Sequence, residues 1–288
     1  MIVSRIAGGL GNQLFQYAAG RALALHHGTP LALDTRHYGH DRSRRFLLDA
    51  FRIEVAKEAD LPPLWPQAPL RHILWRALGT GPRLVREGQP AFQPGLAKLG
   101  PNLYLDGYWQ SERYFAAIAD TLRAELTPRA PLTDGARALL DQIAAVPAVS
   151  LHIRRGDYVL DPKTKQPLGT CSLDYYARAA ALVAERSATD PVIFAFSDEP
   201  DWVRENLRLP FETRVIEHQG ADDPVEDLWL MKSCRHHVIA NSSFSWWGAW
   251  LNPSPDKTVI APAKWFPQPG KSNPDILPPG WTAIDGGV

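Results

Sequence analysis

Short runs of apolar residues alternate along the chain with longer stretches in which apolar positions recur every three to four residues. The short runs are typical of buried strands, and the longer stretches are typical of helices packed on one face. The predicted strands are residues 2–6, 31–33, 104–108, 149–153, 192–196, 215–216, 237–240 and 258–261. The predicted helices are residues 14–27, 111–126, 172–186, 201–207, 225–234 and 243–251. This alternation predicts parallel sheets covered by helices on both faces.

Two blocks of this alternation predict an α/β fold with two Rossmann-like halves and a cleft between them. Prolines surround a helical run within residues 128–147, and we expect the domain junction there. The N-terminal half would span residues 1–146 and the C-terminal half residues 147–288. Proline and glycine interrupt residues 60–101, which we expect to be irregular with short helices. In such folds ligands bind at the carboxyl ends of the strands.

Composition excludes several classes of protein. The net charge is zero, from 31 basic and 31 acidic residues, which argues against general nucleic-acid binding. Cys171 and Cys234 are the only cysteines and lack a C-x-x-C spacing, so neither a disulfide framework nor a zinc site is predicted. The chain has no apolar window of about 20 residues and no signal-peptide pattern, which favours a cytoplasmic protein. Its ten tryptophans suit either carbohydrate stacking or core packing.

The strongest local motif runs from His152 through Tyr158 at the end of an apolar strand. Arg154 and Arg155 leave the strand beside a glycine that permits close backbone approach, and guanidinium groups bind phosphate oxygens bidentately. These residues predict a phosphate clamp. The alternative is a surface pair of arginine and aspartate with little effect on stability. Asp157 can either orient an arginine or accept a proton.

Two further motifs also follow predicted strands. Asn241, Ser242, Ser243 and Phe244 begin a helix after the strand at 237–240, and a helix start there can bind an anion such as pyrophosphate. The alternative is a plain helix cap with tryptophans 246, 247 and 250 in the core. Asp198, after the strand at 192–196, can accept hydrogen bonds from a guanine edge or a ribose, or can cap the next helix.

The glycine-rich segment Gly8-Gly9-Leu10-Gly11-Asn12-Gln13 matches neither the dinucleotide fingerprint nor a P-loop. It predicts a tight loop that brings backbone and Asn12 to a ligand, and it disfavours a nicotinamide dehydrogenase. The chain also contains no D-x-D triplet, the carboxylate pattern with which many nucleotide-sugar transferases hold a divalent ion. Arginines and helix N-termini would then have to balance the charge of a leaving diphosphate.

These segments together resemble glycosyltransferase family 11, the α-1,2-fucosyltransferases. The matching segments, in the family's order, are residues 8–17, 107–110, 152–158, 197–199 and 227–252. The resemblance implies a GT-B fold whose N-terminal half binds the acceptor and whose C-terminal half binds GDP-β-L-fucose. It further implies transfer to the 2-hydroxyl of a galactose-terminated glycan with inversion and without a metal or other cofactor. Peripheral membrane association, the natural acceptor and the oligomeric state stay open.

The resemblance also implies roles for individual residues. Arg154 and Arg155 would hold the GDP phosphates, His152 and Asp198 would lie near the guanosine, and Asn12 would lie where donor and acceptor meet. The remaining predicted donor-site residues are Gly9, Gly11, Asn241, Ser242, Ser243 and Phe244. Arg154, Asn12 and Asp157, the candidate base, would be catalytic. The alternatives are a GDP-fucose-dependent transferase of another linkage or acceptor, and a non-catalytic carbohydrate-binding module.

Overall fold

The N-terminal part of the chain forms a four-stranded parallel sheet with the strand order β2-β1-β4-β3. Its strands are β1 Ile2–Arg5, β2 Leu31–Asp34, β3 Arg83–Arg86 and β4 Leu103–Asp106, and its helices are α1 Leu10–His26 and α2 Ala119–Glu125. The structure is a computed structural model that describes residues 1–39, 44–56, 61, 70, 73–74, 81–155, 169–217, 224–266, 268 and 270–287. Helix α1 buries Leu14, Phe15 and Ala18 completely.

Two predictions for this part of the chain are wrong. Strand β3 lies inside the stretch expected to be irregular. Its residues are only partly buried or exposed and form no apolar run, and the strand is held by backbone pairing with β4. The helix expected at 111–126 is broken into 3₁₀ turns at Glu112–Tyr114 and Ala116–Ile118 before α2 begins. The break occurs at Phe115, whose φ of −142° and ψ of 2° are not helical.

The C-terminal part forms a six-stranded parallel sheet with the order β10-β9-β8-β5-β6-β7. The strands are β5 Ala148–Ile153, β6 Val192–Ser197, β7 Thr213–Val215, β8 His236–Val238, β9 Val259–Pro262 and β10 Thr282–Ile284. The helices are α3 Asp134–Ala144, α4 Leu173–Ser187, α5 Pro200–Asn206, α6 Pro224–Ser233 and α7 Ser243–Leu251. The short strand β10 was not predicted, because none of its three residues is fully buried.

Strand β5 is buried along its whole length and divides its side chains between two apolar clusters. Val149 and Leu151 pack with Tyr175 of α4 on one face. Ala148 lies in the other cluster, with Met231 of α6. Because successive side chains of a strand point to opposite faces, the two clusters show that helices cover both faces of the sheet. The predicted α/β class, GT-B type with two Rossmann-like halves, is confirmed.

The chain divides into two units, residues Met1–Arg129 with Pro274–Ile276, and Ala130–Asn273 with Leu277–Val288. Helix α3 therefore lies in the C-terminal unit, although the sequence boundary at residue 146 assigned it to the N-terminal half. The reason is packing, since Ile143 of α3 is buried in one cluster with Phe194 and Met231.

Candidate active site

Three sequence motifs meet at one edge of the six-stranded sheet. In the register of the sheet, Ile153 of β5 lies opposite Ser197 of β6, and Leu151 of β5 lies opposite Val238 of β8. The arginines after β5, the acidic pair after β6 and the serines after β8 therefore follow three neighbouring strands. The chain runs outward from β5 through β6 to β7, then crosses back and runs outward from β8 to β10. The edge between β5 and β8 is thus the topological switch point, where doubly wound sheets bind ligands.

Asp198 joins the two arginines. Its Oδ2 lies 3.0 Å from Nη1 of Arg154, and its Oδ1 accepts a hydrogen bond of 3.0 Å from the backbone N–H of Arg155. The alternative role as a helix cap is not seen, because Glu199 occupies the N-cap position of α5 and no side chain caps that helix. Asp198 therefore orients the arginine pair, and the second lone pair of each oxygen leaves capacity for a ligand.

Two residues that the sequence reasoning did not assign to the site hold the Arg155 guanidinium. Glu199 accepts from Arg155 Nε at 3.1 Å, and Arg155 Cζ lies 3.6 Å from the ring centroid of Trp202. One planar face and one edge of the guanidinium are thereby occupied, which fixes the direction of its remaining N–H groups. The available signal was the spacing of Glu199 and Trp202, which are three residues apart at the start of a helix.

His152 is a buried polar residue of this edge, with only 4% of its surface exposed. Its ring contacts the ring of Phe244 at a centroid distance of 5.7 Å. Burial and, to a smaller extent, the charge of Arg154 together lower the pKa of His152 to about 4, against the opposite effect of Asp198. The imidazole is therefore neutral at pH 7. Its Nδ1 has no hydrogen-bond partner among the residues that the structure describes, and an unpaired buried polar atom is costly unless a ligand or water pairs it.

Helix α7 begins beside these groups, with Ser242 at its N-cap position in an extended backbone conformation. The Ser242 side chain accepts no capping hydrogen bond, so the plain-cap alternative does not describe this helix start. The tryptophans at 246, 247 and 250 are buried, as the same alternative expected. Phe244 is partly buried against the core and Ser243 is partly buried.

Asn241 is almost fully buried and connects segments of the C-terminal unit. Its Nδ2 donates to the carbonyl oxygens of Gly169 at 3.4 Å and Trp265 at 3.3 Å. Its Oδ1 accepts from the Cys171 thiol at 3.7 Å. These bonds assign Asn241 a supporting role beside the serines, and direct contact with a donor stays a prediction.

Gly9, Gly11 and Asn12 lie at the start of α1 in the N-terminal unit. Gly9 is the N-cap residue and Gly11 is buried in the first turn. The preceding Gly8 has a left-handed φ of 81°, and a side chain there would bring its Cβ to 2.8 Å from Asn12 Nδ2. Asn12 Oδ1 accepts a hydrogen bond of 2.9 Å from Gln110 Nε2. The predicted tight loop is a loop only at Gly8 and Gly9, because α1 begins at Leu10 and not at residue 14, so Gly11 and Asn12 lie in its first turn.

Asp157, the candidate base, lies outside the described residues. Within the described ranges no three histidine, cysteine or acidic side chains are grouped as metal ligands. No helix of the described part of the chain has the length and apolar content to cross a bilayer.

The chain is similar to several solved structures and sequence relatives. Arabidopsis thaliana FUT1 in complex with GDP aligns with 96% of this chain and 75% of its own, at a TM-score of 0.48 and 12% identity. POFUT1 in complex with GDP-fucose aligns with 90% of this chain and 96% of its own, at a TM-score of 0.49 and 15% identity. The alpha-1,2-colitosyltransferase of Escherichia coli is 34% identical over 300 residues, covering 99% of both chains.

Two further sequence relatives are similar over most of this chain. The O-antigen biosynthesis glycosyltransferase WbnK of Escherichia coli is 30% identical, covering 93% of this chain and 96% of its own. The galactoside alpha-(1,2)-fucosyltransferase 1 of Aotus azarae is 28% identical, covering 85% of this chain and 63% of its own. The model of glycosyl transferase family 11 matches residues 95–285, about two thirds of the chain. With these matches and the motif residues at the switch point, the chain belongs to glycosyltransferase family 11.

Proposed function

We propose that this glycosyltransferase moves L-fucose from GDP-β-L-fucose to the 2-hydroxyl of a β-galactoside in the cytoplasm, forming an α-1,2 linkage with inversion and without a metal. The observation that carries the proposal is the grouping of two oriented arginines with the start of α7 at the switch point between β5 and β8. Arginines bind phosphate oxygens in a planar fork, and helix N-termini favour negative charge, so this edge suits a diphosphate.

The same edge offers groups for a nucleoside. A neutral imidazole with one unpaired nitrogen can form a single hydrogen bond without bringing a charge into a buried place, as His152 Nδ1 is placed to do. The Asp198 carboxylate can accept from a base or ribose while it holds the arginines. These features support guanosine binding beside the diphosphate.

In the proposed reaction the acceptor hydroxyl attacks the anomeric carbon of fucose from the face opposite GDP. The bond to the β-phosphate breaks as the new glycosidic bond forms, and negative charge grows on the leaving diphosphate. Arg154 and the first turn of α7 would stabilise that charge, an effect of about 3–4 kcal/mol for a lost donor in comparable oxyanion sites. Asp157 is the proposed base for the acceptor proton, and Asn12 the residue at the meeting point of donor and acceptor.

A second donor is favoured by one observation. The relative with 34% identity over the full length carries the name alpha-1,2-colitosyltransferase. Colitose is L-fucose without its 3-hydroxyl, so both donors would use the same diphosphate site and the same displacement. A site that bonds the 3-hydroxyl would reject colitose strongly, whereas an apolar pocket would discriminate weakly.

The test incubates purified protein with GDP-fucose or GDP-colitose and a panel of β-galactosides, and assigns the product linkage by NMR. The proposal expects GDP release and an α-1,2-linked fucosyl galactoside, with a lower kcat/KM for GDP-colitose. A higher kcat/KM for GDP-colitose than for GDP-fucose would make colitose the transferred sugar and leave the proposed α-1,2 linkage unchanged. Release of no GDP with any acceptor would contradict the proposal and favour a carbohydrate-binding module.

A further inference from the structure

The segment Gly107–Gln110 follows β4 at the carboxyl edge of the four-stranded sheet, and the proposed reaction assigns it no role. We propose that this segment is the acceptor-binding element, with Tyr108 as the platform on which a pyranose ring stacks. The inference rests on the proposed function, because it presumes that the chain binds a neutral glycan. Four observations support it independently. One carboxylate holds the backbone of the segment, and the backbone at Trp109 is strained. The Tyr108 side chain is exposed, and the segment is attached to α1.

The backbone of this segment is pinned by one carboxylate. Glu87, just after β3, accepts the backbone N–H of Tyr108 at 2.7 Å and that of Trp109 at 3.0 Å. Burial raises the pKa of Glu87 against the opposite effect of these two hydrogen bonds. Gly107 makes the approach feasible, because a Cβ there would lie 2.4 Å from Glu87 Cβ. The contacts of Glu87 and the absence of a side chain at Gly107 therefore favour this one backbone conformation of the segment.

The conformation is also strained. Trp109 has a left-handed φ of 56°, which is unusual for any residue other than glycine and worse for a bulky one. Its indole is completely buried, and Nε1 has no hydrogen-bond partner within the described ranges. The strained backbone and the unpaired buried donor both raise the free energy of the folded chain. Such costs concentrate where a binding site requires a particular backbone.

The result of this arrangement is that Trp109 is buried and Tyr108 is turned outward, with 46% of its surface exposed. A rigidly held aromatic ring offers an apolar face at low entropic cost, and the C–H face of a pyranose is its natural partner. The half-exposed ion pair of Arg5 and Asp106, at 2.7 Å, ends the neighbouring strands and offers polar groups to sugar hydroxyls. The surface thus combines an apolar platform with hydrogen-bonding groups.

The location of the segment links it to the proposed reaction. Gln110 Nε2 donates to Asn12 Oδ1 at 2.9 Å, and Gln16 Nε2 donates to the Gly107 carbonyl at 3.2 Å. Both ends of the segment are thereby attached to α1. Two residues of chain span at most about 7 Å, so the Cα atoms of Tyr108 and Gln110 lie within that distance of each other. A terminal hexose stacked on Tyr108 would bring its hydroxyls towards Asn12.

The test measures KM for the galactoside and the affinity for GDP in Tyr108→Ala and Tyr108→Phe. Truncation of an aromatic anchor commonly weakens binding about tenfold or more, so Tyr108→Ala should raise the acceptor KM by about that factor. Tyr108→Phe keeps the ring and should stay within about twofold of wild type. GDP affinity by calorimetry should not change in either variant. Leu25→Ala, which removes an apolar side chain of similar exposure, 42%, from α1, is the matched control.

Glu87→Gln adds a test of positioning, because the amide keeps the size of the side chain and weakens its bonds to the two backbone N–H groups. It should raise the acceptor KM in the wild-type background and have little further effect in Tyr108→Ala. An unchanged acceptor KM in Tyr108→Ala, or an equal loss of GDP affinity, would overturn the inference. Absence of transfer by the wild-type protein would instead reject the proposed function.

Discussion

The two units of the molecule build their motif-bearing edges from different chemistry. At the edge of the six-stranded sheet, Arg154 and Arg155 are oriented by Asp198, Glu199 and Trp202. At the edge of the four-stranded sheet, the motif segments contribute glycines, amides and a strained backbone, and the partly buried carboxylate of Glu87 holds two N–H groups. The difference indicates that the first edge is organised around charge and the second around shape.

This contrast matches the two substrates of the proposed reaction. A diphosphate is recognised by its charge, and its charge grows in the transition state, so fixed cations contribute most there. A neutral glycan offers ring faces and hydroxyls, for which an aromatic platform and polar side chains are suited.

Replacing Arg154, whose side chain is slightly more exposed than that of Arg155, should have the greatest effect. Arg154→Lys keeps the charge but loses the planar fork, so turnover should fall about 10²- to 10³-fold, nearly as far as in Arg154→Ala. GDP affinity should fall less, because the interaction strengthens in the transition state. Steady-state kinetics and GDP calorimetry check this, with circular dichroism to confirm the fold. Near wild-type turnover would shift the main role to Arg155.

His152 should make the charged edge sensitive to acid. Its pKa is lowered from an ordinary 6.5 to about 4, mainly by burial. Between these pH values the unfolded chain therefore binds a proton at this residue and the folded chain does not. Stability should therefore be full above pH 6.5 and fall as the pH drops towards 4. Relative to His152→Asn, the wild type should lose about 2 kcal/mol of unfolding free energy between pH 7 and pH 5. Urea unfolding at the two pH values measures it, and parallel losses in both proteins would contradict the assignment.

Trp202 tests whether the support of Arg155 matters for the donor. Trp202→Ala removes the ring beneath the guanidinium, and cation–π contacts of this kind contribute about 0.5–2 kcal/mol, so GDP affinity should fall about 2- to 30-fold. Trp202→Phe should recover most of that loss. Because Trp202 also packs against the core, a thermal melt must accompany the calorimetry. Equal GDP affinity in wild type and Trp202→Ala would leave Trp202 with a packing role alone.

Chelation should have the smallest effect. If arginines and a helix start hold the diphosphate, EDTA should leave most of the transfer rate intact. The assay compares initial rates before and after dialysis against EDTA. Complete loss that Mn²⁺ or Mg²⁺ restores would reject the metal-independent proposal.

The sequence predicted the long-range organisation well where a single physical signal dominated. Fully buried strands such as β5 and β6 read as apolar runs, and the motif residues after them could be assigned to one edge because parallel strands end together. Strand β3 could not be found, since its burial is incomplete and its pairing with β4 is a non-local choice.

Within the site, the limits were those of side-chain geometry. The sequence placed Arg154, Arg155 and Asp198 in one site, but spacing could not show that Asp198 reaches both arginines or that Trp202 lies under Arg155. The strained backbone at Trp109 is held by its hydrogen bond to Glu87, which lies 22 residues earlier in the chain. Such contacts emerge only once the fold has brought the segments together.

The most direct test of the contrast is one kinetic comparison of Trp202→Ala and Tyr108→Ala, in which GDP affinity and the acceptor KM are measured side by side. We expect each variant to change a different parameter, with GDP affinity weakened only in Trp202→Ala and the acceptor KM raised only in Tyr108→Ala. Two variants that change the same parameter by similar factors would contradict it.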